Sequence, residues 1–491
     1  MAYRPTQRII DAKQRVSAWR TALNNNDYAS GINLKSITDL DHELYGHVVL
    51  PTDSSYEADR QENNSAYQEY PQMIVYCEVT EDVRLSLQFA QAHNLWVACR
   101  AGGHSTAGYS VNSGMVIDVS LMNSVCVDPQ QRLARVGAGT NFGRLNAHLN
   151  DYGLHVPGGA CENVCVAGFM QGGGYGYTSR KFGMNCDNVE SFRMMLRDGQ
   201  VVTASHQEHA DLFWAVRGGT GGNFGVLLDI TYRVHRLDPV WGFARVWHID
   251  HAATLFSELQ SNYMRTGAAA ELGYMGNLAT HKGEQVFVLQ GLYIGTGDEG
   301  REALAALSSK ARPLQEQEAV LPYAKMDSWL DISPYEIPDV AVNAKEGKLA
   351  GYIDRPPGTS DWQCVIDFYK TTPRGYNTVV IEPYGGAINE VSVSENAFIH
   401  RDVDMDFFVD VFWDKDSEKQ EALDWRDKYS EFMKPYFNGH VYQNYPSREL
   451  TDYRSMYFGS AFDKLLEVKN KYDPAPYFFH YEQSIKPYDC N

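Results

Sequence analysis

Short apolar segments separated by helix and turn signals dominate the chain between Gln72 and about residue 238. The segment MIVYCEV, from Met73 to Val79, is short and rich in β-branched residues, as buried strands are. The next stretch, TEDVRLSLQFAQAHNL, has apolar residues at helical spacing behind Thr80, which we predict to be its N-cap. We also predict strands at LWVAC, MVIDVS, ARVGAGT and FRMML, and a helix at TNFGRLNAHLNDYG. This part of the chain therefore has an α+β or α/β pattern.

The pattern changes near Pro239, where the strands become longer and alternate between apolar and polar residues. The segments EQVFVLQGLYIG and DMDFFVDVFW alternate in this way, which indicates an antiparallel sheet with one covered face. REALAALSSKARPL and SEKQEALDWRDKYSEFMKPYF have the spacing of amphipathic helices. We predict three parts, residues 1–240, 241–435 and 436–491, with an irregular or helical lead-in over about the first 60 residues.

Composition narrows the class of protein. The chain has 491 residues, more than one core usually covers, and 44% of them are apolar. A net charge of −19 argues against a nucleic-acid or anionic-membrane partner, since both need a basic face. We find no apolar run long enough to span a membrane and no secretory signal, so we expect a cytoplasmic protein, or a secreted one if the sequence was trimmed.

The eight cysteines do not suggest a disulfide scaffold or a metal site. Cys161 and Cys165 have the spacing of a ligand pair, but no second pair follows them, so we expect no zinc.

Three glycine-rich stretches carry the candidate chemistry. They are RAGGHS, ending at Ser105, then GGACENVCVAGFMQGGGYG from Gly158, and DLFWAVRGGTGGNFGV from Asp211. Glycine lets the backbone approach a ligand, and its amides can cradle a pyrophosphate. The spacing fits neither the dinucleotide fingerprint nor the P-loop. Each stretch alone is equally consistent with ordinary turns, but three in one half of the chain favour a single extended, phosphate-bearing ligand.

Together these stretches resemble the PCMH-type FAD-binding domain of the vanillyl-alcohol-oxidase superfamily, and specifically the berberine bridge enzyme-like oxidases. Two further segments are similar to that family, GHVVLPTDSSYEADRQENN near the start and KYDPAPYFFHYEQSI near the end. The five motifs occur in the family's order from Gly46 to Ile485, and the middle of the chain matches less well. The resemblance implies an α+β fold. Residues 1–240 would form the FAD domain with two α/β subdomains, 241–435 a substrate domain with a helix-covered antiparallel sheet, and 436–491 a return to the FAD domain.

The resemblance also implies that FAD is attached twice. The family's histidine bonds to the flavin 8-methyl carbon and its cysteine to carbon 6, which corresponds here to His104 and Cys161. The alternative for Cys161 is a small buried core residue. Gly172, Gly173 and Gly174 would line the diphosphate or ribityl part, near the segment 217–222. The other expected cofactor contacts are Arg100, Gly102, Gly103, Ser105, Val164, Gly168, Gly176, Gly221, Gly222, Gly225, Val226 and Asn444.

Two positions depart from the family pattern. Phe169 stands where a histidine is frequent, which removes a polar neighbour of the flavin. Pro476 replaces the usual asparagine of the closing motif, so we expect a rebuilt turn there.

For the proton chemistry, the segment YQNY resembles the family's Y-x-N-Y, whose second tyrosine is the usual base. We therefore expect Tyr445 to be the base and Tyr442 to be a wall of the pocket. A phenol with a pKa of about 10 needs help at neutral pH. Glu382 matches the position of an acid that hydrogen-bonds the base. Glu390 matches the glutamate that is itself the base in berberine bridge enzyme, although a solvated strand residue is an equal alternative. Val164 matches a gatekeeper position associated with access of oxygen.

These inferences lead to one principal function and two alternatives. We expect an FAD-dependent oxidase that takes a hydride from an alcohol carbon of a sugar, oligosaccharide, or glycosylated or polycyclic metabolite, with O₂ reduced to H₂O₂. The alternatives are a dehydrogenase or oxidative cyclase of an aromatic alkaloid or phenol, and a flavoprotein that binds without turnover. The expected partners are a small-molecule substrate and O₂, in a monomer or small homo-oligomer.

Overall fold

The computed structural model describes residues 32–264, 268–331, 345–355 and 357–487. Most of the predicted lead-in, residues 1–31, lies outside this part of the chain. The fold is α+β, as expected, and contains three principal sheets that are built mostly from consecutive segments of sequence.

The first sheet has four strands in the order β1-β2-β4-β3. Its elements are helix α1 (Leu34–Glu43), strand β1 (His47–Val49), helix α2 (Tyr56–Asp59), strand β2 (Met73–Tyr76), helix α3 (Thr80–Ala92), strand β3 (Val97–Arg100) and strand β4 (Met115–Asp118). Strands β2, β3 and β4 are parallel, and β1 is antiparallel to β2. This sheet places the end of β3, and therefore the loop that carries His104, at one edge of a buried core.

The start of α3 corrects one prediction. Thr80 is the first helical residue rather than the N-cap, which is Val79. The buried carboxylate of Asp82 accepts hydrogen bonds from the backbone N–H groups of Glu78 and Val79 and from those of Tyr45 and Gly46. A carboxylate in the first turn thus satisfies donors on both the helix start and the preceding loop.

The second sheet has five antiparallel strands in the order β5-β6-β10-β8-β9, and a two-stranded ribbon pairs β7 with β11. The strands are β5 (Val125–Asp128), β6 (Leu133–Gly137), β7 (Leu154–His155), β8 (Val189–Met195), β9 (Val201–Ser205), β10 (Val226–Arg233) and β11 (His235–Arg236). The helices are α4 (Phe142–Asn150), α5 (Val166–Gln171), α6 (Ser179–Phe182) and α7 (Ala210–Val216), with a 3₁₀ turn at Asn185–Asn188. The glycine-rich segments connect these elements.

The third sheet has seven antiparallel strands in the order β15-β12-β14-β13-β17-β18-β16. They are β12 (Val240–His248), β13 (Leu272–His281), β14 (Glu284–Tyr293), β15 (Gln315–Leu321), β16 (Lys345–Ile353), β17 (Thr378–Pro383) and β18 (Met405–Trp413). The remaining helices are α8 (Ala252–Asn262), α9 (Gly297–Ala303), α10 (Ala305–Ser308), α11 (Tyr323–Asp331), α12 (Thr359–Tyr369), α13 (Ala387–Glu390), α14 (Asp416–Met433), α15 (Tyr453–Phe458) and α16 (Phe462–Tyr472). Further 3₁₀ turns lie at Ile249–His251, Lys434–Tyr436 and Gly459–Ala461.

The helix predicted over residues 301–314 is divided in two. The backbone leaves helical geometry at Leu304, where ψ is 1°, and α10 ends at Ser308. Leu304 and Leu307 are nevertheless fully buried, so the apolar spacing correctly identified which side faces the core.

The two faces of the seven-stranded sheet differ in chemistry. Phe407, Val409 and Val411 on β18 are buried in the same apolar cluster as side chains of α8, α12 and α14. The intervening residues Asp406 and Asp410 lie on the opposite face, because side chains alternate along a strand. The predicted covered face is therefore present, and the opposite face is also partly buried and holds charged residues.

The last part of the chain returns to the first two sheets. Val441, Tyr453, Leu465 and Ile485 belong to the same apolar cluster as residues of β2, β6 and β10. Near Pro476 the chain is held by Asp473, which accepts hydrogen bonds from the N–H groups of Phe478 and Phe479. The residue numbers at which the three predicted domains begin and end stay a prediction. Within the described ranges, none of the helices has the length and hydropathy needed to cross a membrane.

Candidate active site

A cavity of about 550 Å³ lies between the glycine-rich loops and the charged face of the seven-stranded sheet. This volume is within the range of small-molecule and cofactor sites. Fifteen of the predicted site residues line it: Arg100, Gly102, Gly103, His104, Ser105, Cys161, Val164, Gly168, Gly221, Gly222, Gly225, Val226, Glu382, Asn444 and Tyr445. We call the loop side, residues 100–105, 159–168 and 220–226, the glycine wall. We call Glu346, Lys348, Glu382, Phe408 and Asp410 the sheet wall.

The loop that carries His104 is shaped by its glycines. A Cβ on Gly102 would lie 3.0 Å from Cys165 Sγ and 3.2 Å from Cys165 N, so only glycine lets this loop pack against the next one. Gly103 has φ of +67°, which L residues rarely adopt. The His104 and Cys161 loops are thereby brought to the same cavity.

Backbone donors on this loop fit a phosphate-bearing cofactor. Within the described residues, the N–H groups from Gly103 to Thr106 donate no hydrogen bond to the protein. Successive free N–H groups around a residue of positive φ form anion-binding concavities. The predicted pyrophosphate of FAD could accept hydrogen bonds from such donors.

The C-terminal segment clamps the same loop. Arg448 Nε and Nη2 donate to the carbonyl oxygens of Ala107 and Gly108, at 2.6 and 3.0 Å. Thr106 Oγ1 donates to Pro446 O at 2.9 Å. Sequence reasoning missed this clamp. Its available signal was an arginine three residues after Tyr445, in the motif that supplies the proposed base.

The two predicted attachment residues differ from their neighbours in exposure and charge. Cys161 is exposed on the loop before α5, which does not fit the alternative of a core cysteine. Cys165, by contrast, is buried, its thiol donates to Gly139 O, and burial raises its pKa to about 12. Burial lowers the pKa of His104, which favours the neutral imidazole. Neutral imidazole is the nucleophilic form of histidine.

The GGGYG segment packs closely against the rest of the protein, and its predicted contact with FAD stays a prediction. Gly172, Gly173, Gly174 and Gly176 are not on the cavity wall. Instead, a Cβ on them would meet Asn444, Phe398, Phe169 or the Gly158 carbonyl oxygen at 1.7 to 2.6 Å. The structure therefore explains these glycines by close packing of the protein on itself.

The aromatic ring of Phe169 fills part of this region. It lies against Gly159 and Gly174 and makes an edge contact with Phe142, with ring centroids 4.7 Å apart. The departure from the family's histidine therefore places an apolar ring where the glycine wall meets its supporting core.

One predicted cofactor contact, Arg100, is held by other groups of the protein, and one predicted base, Glu390, lies outside the cavity. The guanidinium of Arg100 is used within the protein, where it binds the Asp118 carboxylate and donates to Asp59 O. Glu390 ends the short helix α13, is exposed and does not line the cavity. The structure places Glu382 beside Tyr445 and places Glu390 outside the cavity. Glu382, and not Glu390, is therefore in position to exchange a proton with Tyr445.

Tyr445 and Glu382 form a hydrogen-bonded pair on the wall of the cavity. The Tyr445 hydroxyl donates to Glu382 Oε1 at 3.0 Å. Tyr442 lies beside it, with ring centroids 4.9 Å apart, and its hydroxyl accepts hydrogen bonds from the N–H groups of Gly174 and Tyr175. Tyr442 thus joins the GGGYG segment to the Y-x-N-Y segment, in agreement with its predicted role as a wall.

The sheet wall adds a cation and further carboxylates that sequence reasoning missed. Lys348 Nζ lies 2.8 Å from Asp410 Oδ2 and 3.6 Å from Glu346 Oε1. It also lies 4.0 Å from the centre of the Phe408 ring and 4.5 Å from that of Tyr445. The available signal was the alternation of acids with apolar residues in DMDFFVDVFW. Which strand pairs with this one is not visible in the sequence.

Electrostatics keep the proton on the phenol. Burial, followed by the charge of Glu382, raises the pKa of Tyr445 well above 10. Burial raises the pKa of Glu382 to about 7, although the Tyr445 hydrogen bond and Lys348 oppose the rise. The carboxylate of Glu382 therefore raises the pKa of Tyr445 rather than lowering it. The protein instead places a proton acceptor of near-neutral pKa next to a neutral phenol.

Comparison with known proteins agrees with this geometry. Residues 71–205 match the FAD binding domain family, and residues 441–486 match the family described as berberine and berberine like. An uncharacterized FAD-linked oxidoreductase of Bacillus subtilis, YgaK, is 27% identical over 452 residues, covering 91% of this chain and 98% of that protein. The solved structure of wild-type BBE-like 1 from Physcomitrella patens is 26% identical, with a TM-score of 0.81 over 92% of this chain and 99% of that one. The grass pollen allergen Phl p 4 shares the fold at 20% identity and a TM-score of 0.80, over 90% of this chain and 96% of that chain.

The fold, the glycine wall and the matches to known families together define the class of this protein. It is an FAD-linked oxidoreductase. The two segments that match the FAD binding domain family and the berberine and berberine like family both contribute residues to the lining of the cavity described above.

Proposed function

We propose that this protein is an oxidase that removes a hydride from an alcohol carbon of a sugar, an oligosaccharide, or a glycosylated or polycyclic metabolite, with O₂ as the final acceptor. The observation that carries the proposal is the 3.0 Å hydrogen bond from Tyr445 to Glu382 on the wall of the cavity that also holds His104 and Cys161. FAD supplies the hydride acceptor, and a neighbouring base must take the hydroxyl proton.

His104 and Cys161 are the proposed attachment points for that cofactor. Both line one cavity from separate loops, one as a neutral imidazole and the other as an exposed thiol. Two links would hold the flavin while the opposite wall stays open to a bulky substrate.

Tyr445 and Glu382 are the proposed proton acceptors. The phenol oxygen takes the proton of the substrate hydroxyl as its own proton passes to Glu382 Oε1 along the existing hydrogen bond. This route requires no free phenolate, which fits the raised pKa of Tyr445. The rate of the step should rise as Glu382 ionises, near pH 7.

Val164 supports the choice of O₂ as acceptor. It lines the cavity three residues after Cys161, and a small aliphatic side chain there leaves room beside the flavin edge.

A peroxide screen over sugars, glycosides and aromatic alcohols tests the proposal. The expected result is substrate-dependent H₂O₂ with at least one carbohydrate or glycoside, and rapid return of the yellow colour when the reduced enzyme meets O₂. Turnover that proceeds only with an artificial dye, with slow reoxidation by O₂, would show a dehydrogenase instead.

A further inference from the structure

A row of three polar side chains crosses the charged face of the sheet beneath Tyr445. Glu382 on β17 is the direct cross-strand partner of Asp406 on β18, and Asp406 is in turn the partner of Tyr352 on β16. Directly opposed side chains point to the same face, with Cβ atoms about 4.5 to 5.5 Å apart. Two carboxyl groups therefore face each other, one of them hydrogen-bonded to the proposed base.

Both carboxyl groups are removed from water. Glu382 is 2% exposed and Asp406 is 0% exposed. Within the described residues, neither oxygen of Asp406 has a hydrogen-bond partner, and neither does Glu382 Oε2. Like charges this close in a buried site do not both ionise, as the carboxyl dyads of other enzymes illustrate.

The groups around the pair decide which carboxyl holds the proton. Glu382 receives the Tyr445 hydroxyl, which favours its ionised form. Three ionisable groups face Asp406: Glu382 from β17, Lys348 from β16 and Asp410 on its own strand. The hydroxyls of Tyr352 and Tyr384 form a hydrogen bond with each other, at 2.9 Å. Burial and Glu382 raise the pKa of Asp406 well above its ordinary value, although Lys348 opposes the rise.

We propose that Asp406 is a positioning residue that holds a proton opposite Glu382, so that the pair carries one negative charge and Glu382 is kept as the acceptor for the Tyr445 proton. A proton on Asp406 leaves that carboxyl uncharged, which removes the like charge that would oppose ionisation of Glu382 across the strand pair. This role rests on the function proposed above, since it concerns the same proton transfer.

The transfer balances as follows. The substrate O–H bond breaks and its proton joins the Tyr445 oxygen, as the Tyr445 O–H bond breaks and its proton joins Glu382. Two electrons leave with the hydride of the adjacent C–H bond, for which FAD is the acceptor in the proposed reaction. The carboxyl pair then holds two protons and no charge, and it returns to one proton by release to solvent.

Infrared spectroscopy of the oxidised holoenzyme without substrate tests the protonation state. The spectrum of Asp406→Asn should lack one C=O band of a protonated carboxylic acid that wild type shows at neutral pH and that shifts in D₂O. The matched control is Asp402→Asn, since Asp402 is exposed on the loop before β18 and should contribute no such band. An unchanged carboxylic acid band in Asp406→Asn would overturn the proposal.

Anaerobic flavin reduction then tests the positioning role. Asp406→Leu removes the neutral polar group that faces Glu382 and should slow reduction about tenfold, whereas Asp406→Asn keeps the size and polarity of a protonated acid and should keep the rate within about twofold of wild type. Asn as slow as Leu would mean that an ionised Asp406 is needed, and Leu as fast as wild type would mean that it has no role. If Asp406→Leu does not fold, the Asn rate and the infrared band decide the matter.

The two measurements separate this inference from the proposed function. The infrared band requires no turnover, so a protein that oxidises no alcohol can still show the shared proton. A protein that oxidises alcohols but shows no band lost in Asp406→Asn would refute the inference alone.

Discussion

The two walls of the cavity differ in the groups that form them. The glycine wall is formed by glycine-rich loops, and it carries the two proposed attachment residues, His104 and Cys161. The sheet wall presents long charged side chains held in cross-strand rows, with Lys348 opposite Asp410 and Glu382 opposite Asp406. Most of the glycine wall lies in the segment that matches the FAD binding domain family, whereas the sheet wall lies outside both matched segments. Glycines determine the backbone conformation of the first wall, and cross-strand pairing determines the arrangement of charges on the second.

The largest expected effect is on the glycine wall. The double variant His104→Ala, Cys161→Ser should lose all covalent flavin, and each single variant should keep one link, as measured by flavin fluorescence of the denatured chain and by intact mass. The exposed residues Cys364 and His206 give control variants, Cys364→Ser and His206→Ala, that should keep both links. Covalent flavin in the double variant would show that the attachment lies elsewhere.

The next effect is on the sheet wall. Tyr445→Phe keeps the ring and removes the proton acceptor, so anaerobic flavin reduction should slow by a factor of about 10² to 10⁴ with little change in stability. The control is Tyr152→Phe, in which the altered tyrosine is 52% exposed. A wild-type rate in Tyr445→Phe would remove Tyr445 from the mechanism.

Replacing Lys348 tests whether the stability of the protein depends on the one cation of the sheet wall. Lys348→Met leaves Asp410 and Glu346 buried without it, and breaking a buried ion pair typically costs about 3 to 5 kcal/mol in the free energy of unfolding. Lys35→Met breaks a surface pair with Asp39 and should cost less than about 1 kcal/mol. Chemical denaturation measures both, and equal costs would contradict a buried ionic wall.

The pH dependence of stability is a smaller effect of known sign. Glu382 has a folded pKa of about 7 against 4.5 for an ordinary glutamate, chiefly because it is buried. Between these values the folded state binds more protons than the unfolded state, so the free energy of unfolding falls as pH rises. This stabilisation is complete below about pH 4.5 and is lost as pH rises through about 7.

Glu382→Gln should therefore flatten the fall in stability between pH 4.5 and 7. Tm measured across this range is the test, and Glu390→Gln, which alters an exposed acid, should leave the slope unchanged. A slope in Glu382→Gln identical to that of wild type would show that Glu382 does not titrate as a buried acid.

The smallest effect separates cofactor contact from protein packing on the glycine wall. Gly168 lies in α5, lines the cavity, and has no protein atom within 4 Å of an added Cβ. Gly168→Ala should stabilise the flavin-free chain by about 0.5 to 1 kcal/mol through helix propensity, and it should reduce flavin incorporation if the cofactor lies there. Gly176→Ala is the contrast, because its Cβ would lie 1.7 Å from Gly158 O and should destabilise the chain with or without flavin.

The pattern of the sequence and its resemblance to a family predicted the class of fold, and the resemblance implied the two candidate attachment residues and the pair of Tyr445 and Glu382. The structure brings these four residues to one cavity, and their roles stay a prediction. A position that requires positive φ, such as Gly103, can be recognised because the residue there is glycine. The same reasoning placed Gly172 to Gly174 on the cavity, whereas the structure shows that they accommodate Asn444, Phe398 and Phe169.

Only the tertiary structure decided the electrostatics of the proton transfer. Asp406 and Asp410 stand on a strand that the alternating pattern identified, but Lys348 comes from β16 and Glu382 from β17, and the register of three strands brings them together. Burial then gives Glu382 a near-neutral pKa and keeps the proton on Tyr445. Backbone requirements are local and can be read from a motif. The ionisation of a carboxyl group depends on the charges and the water around it, and those are set by residues far away in the chain.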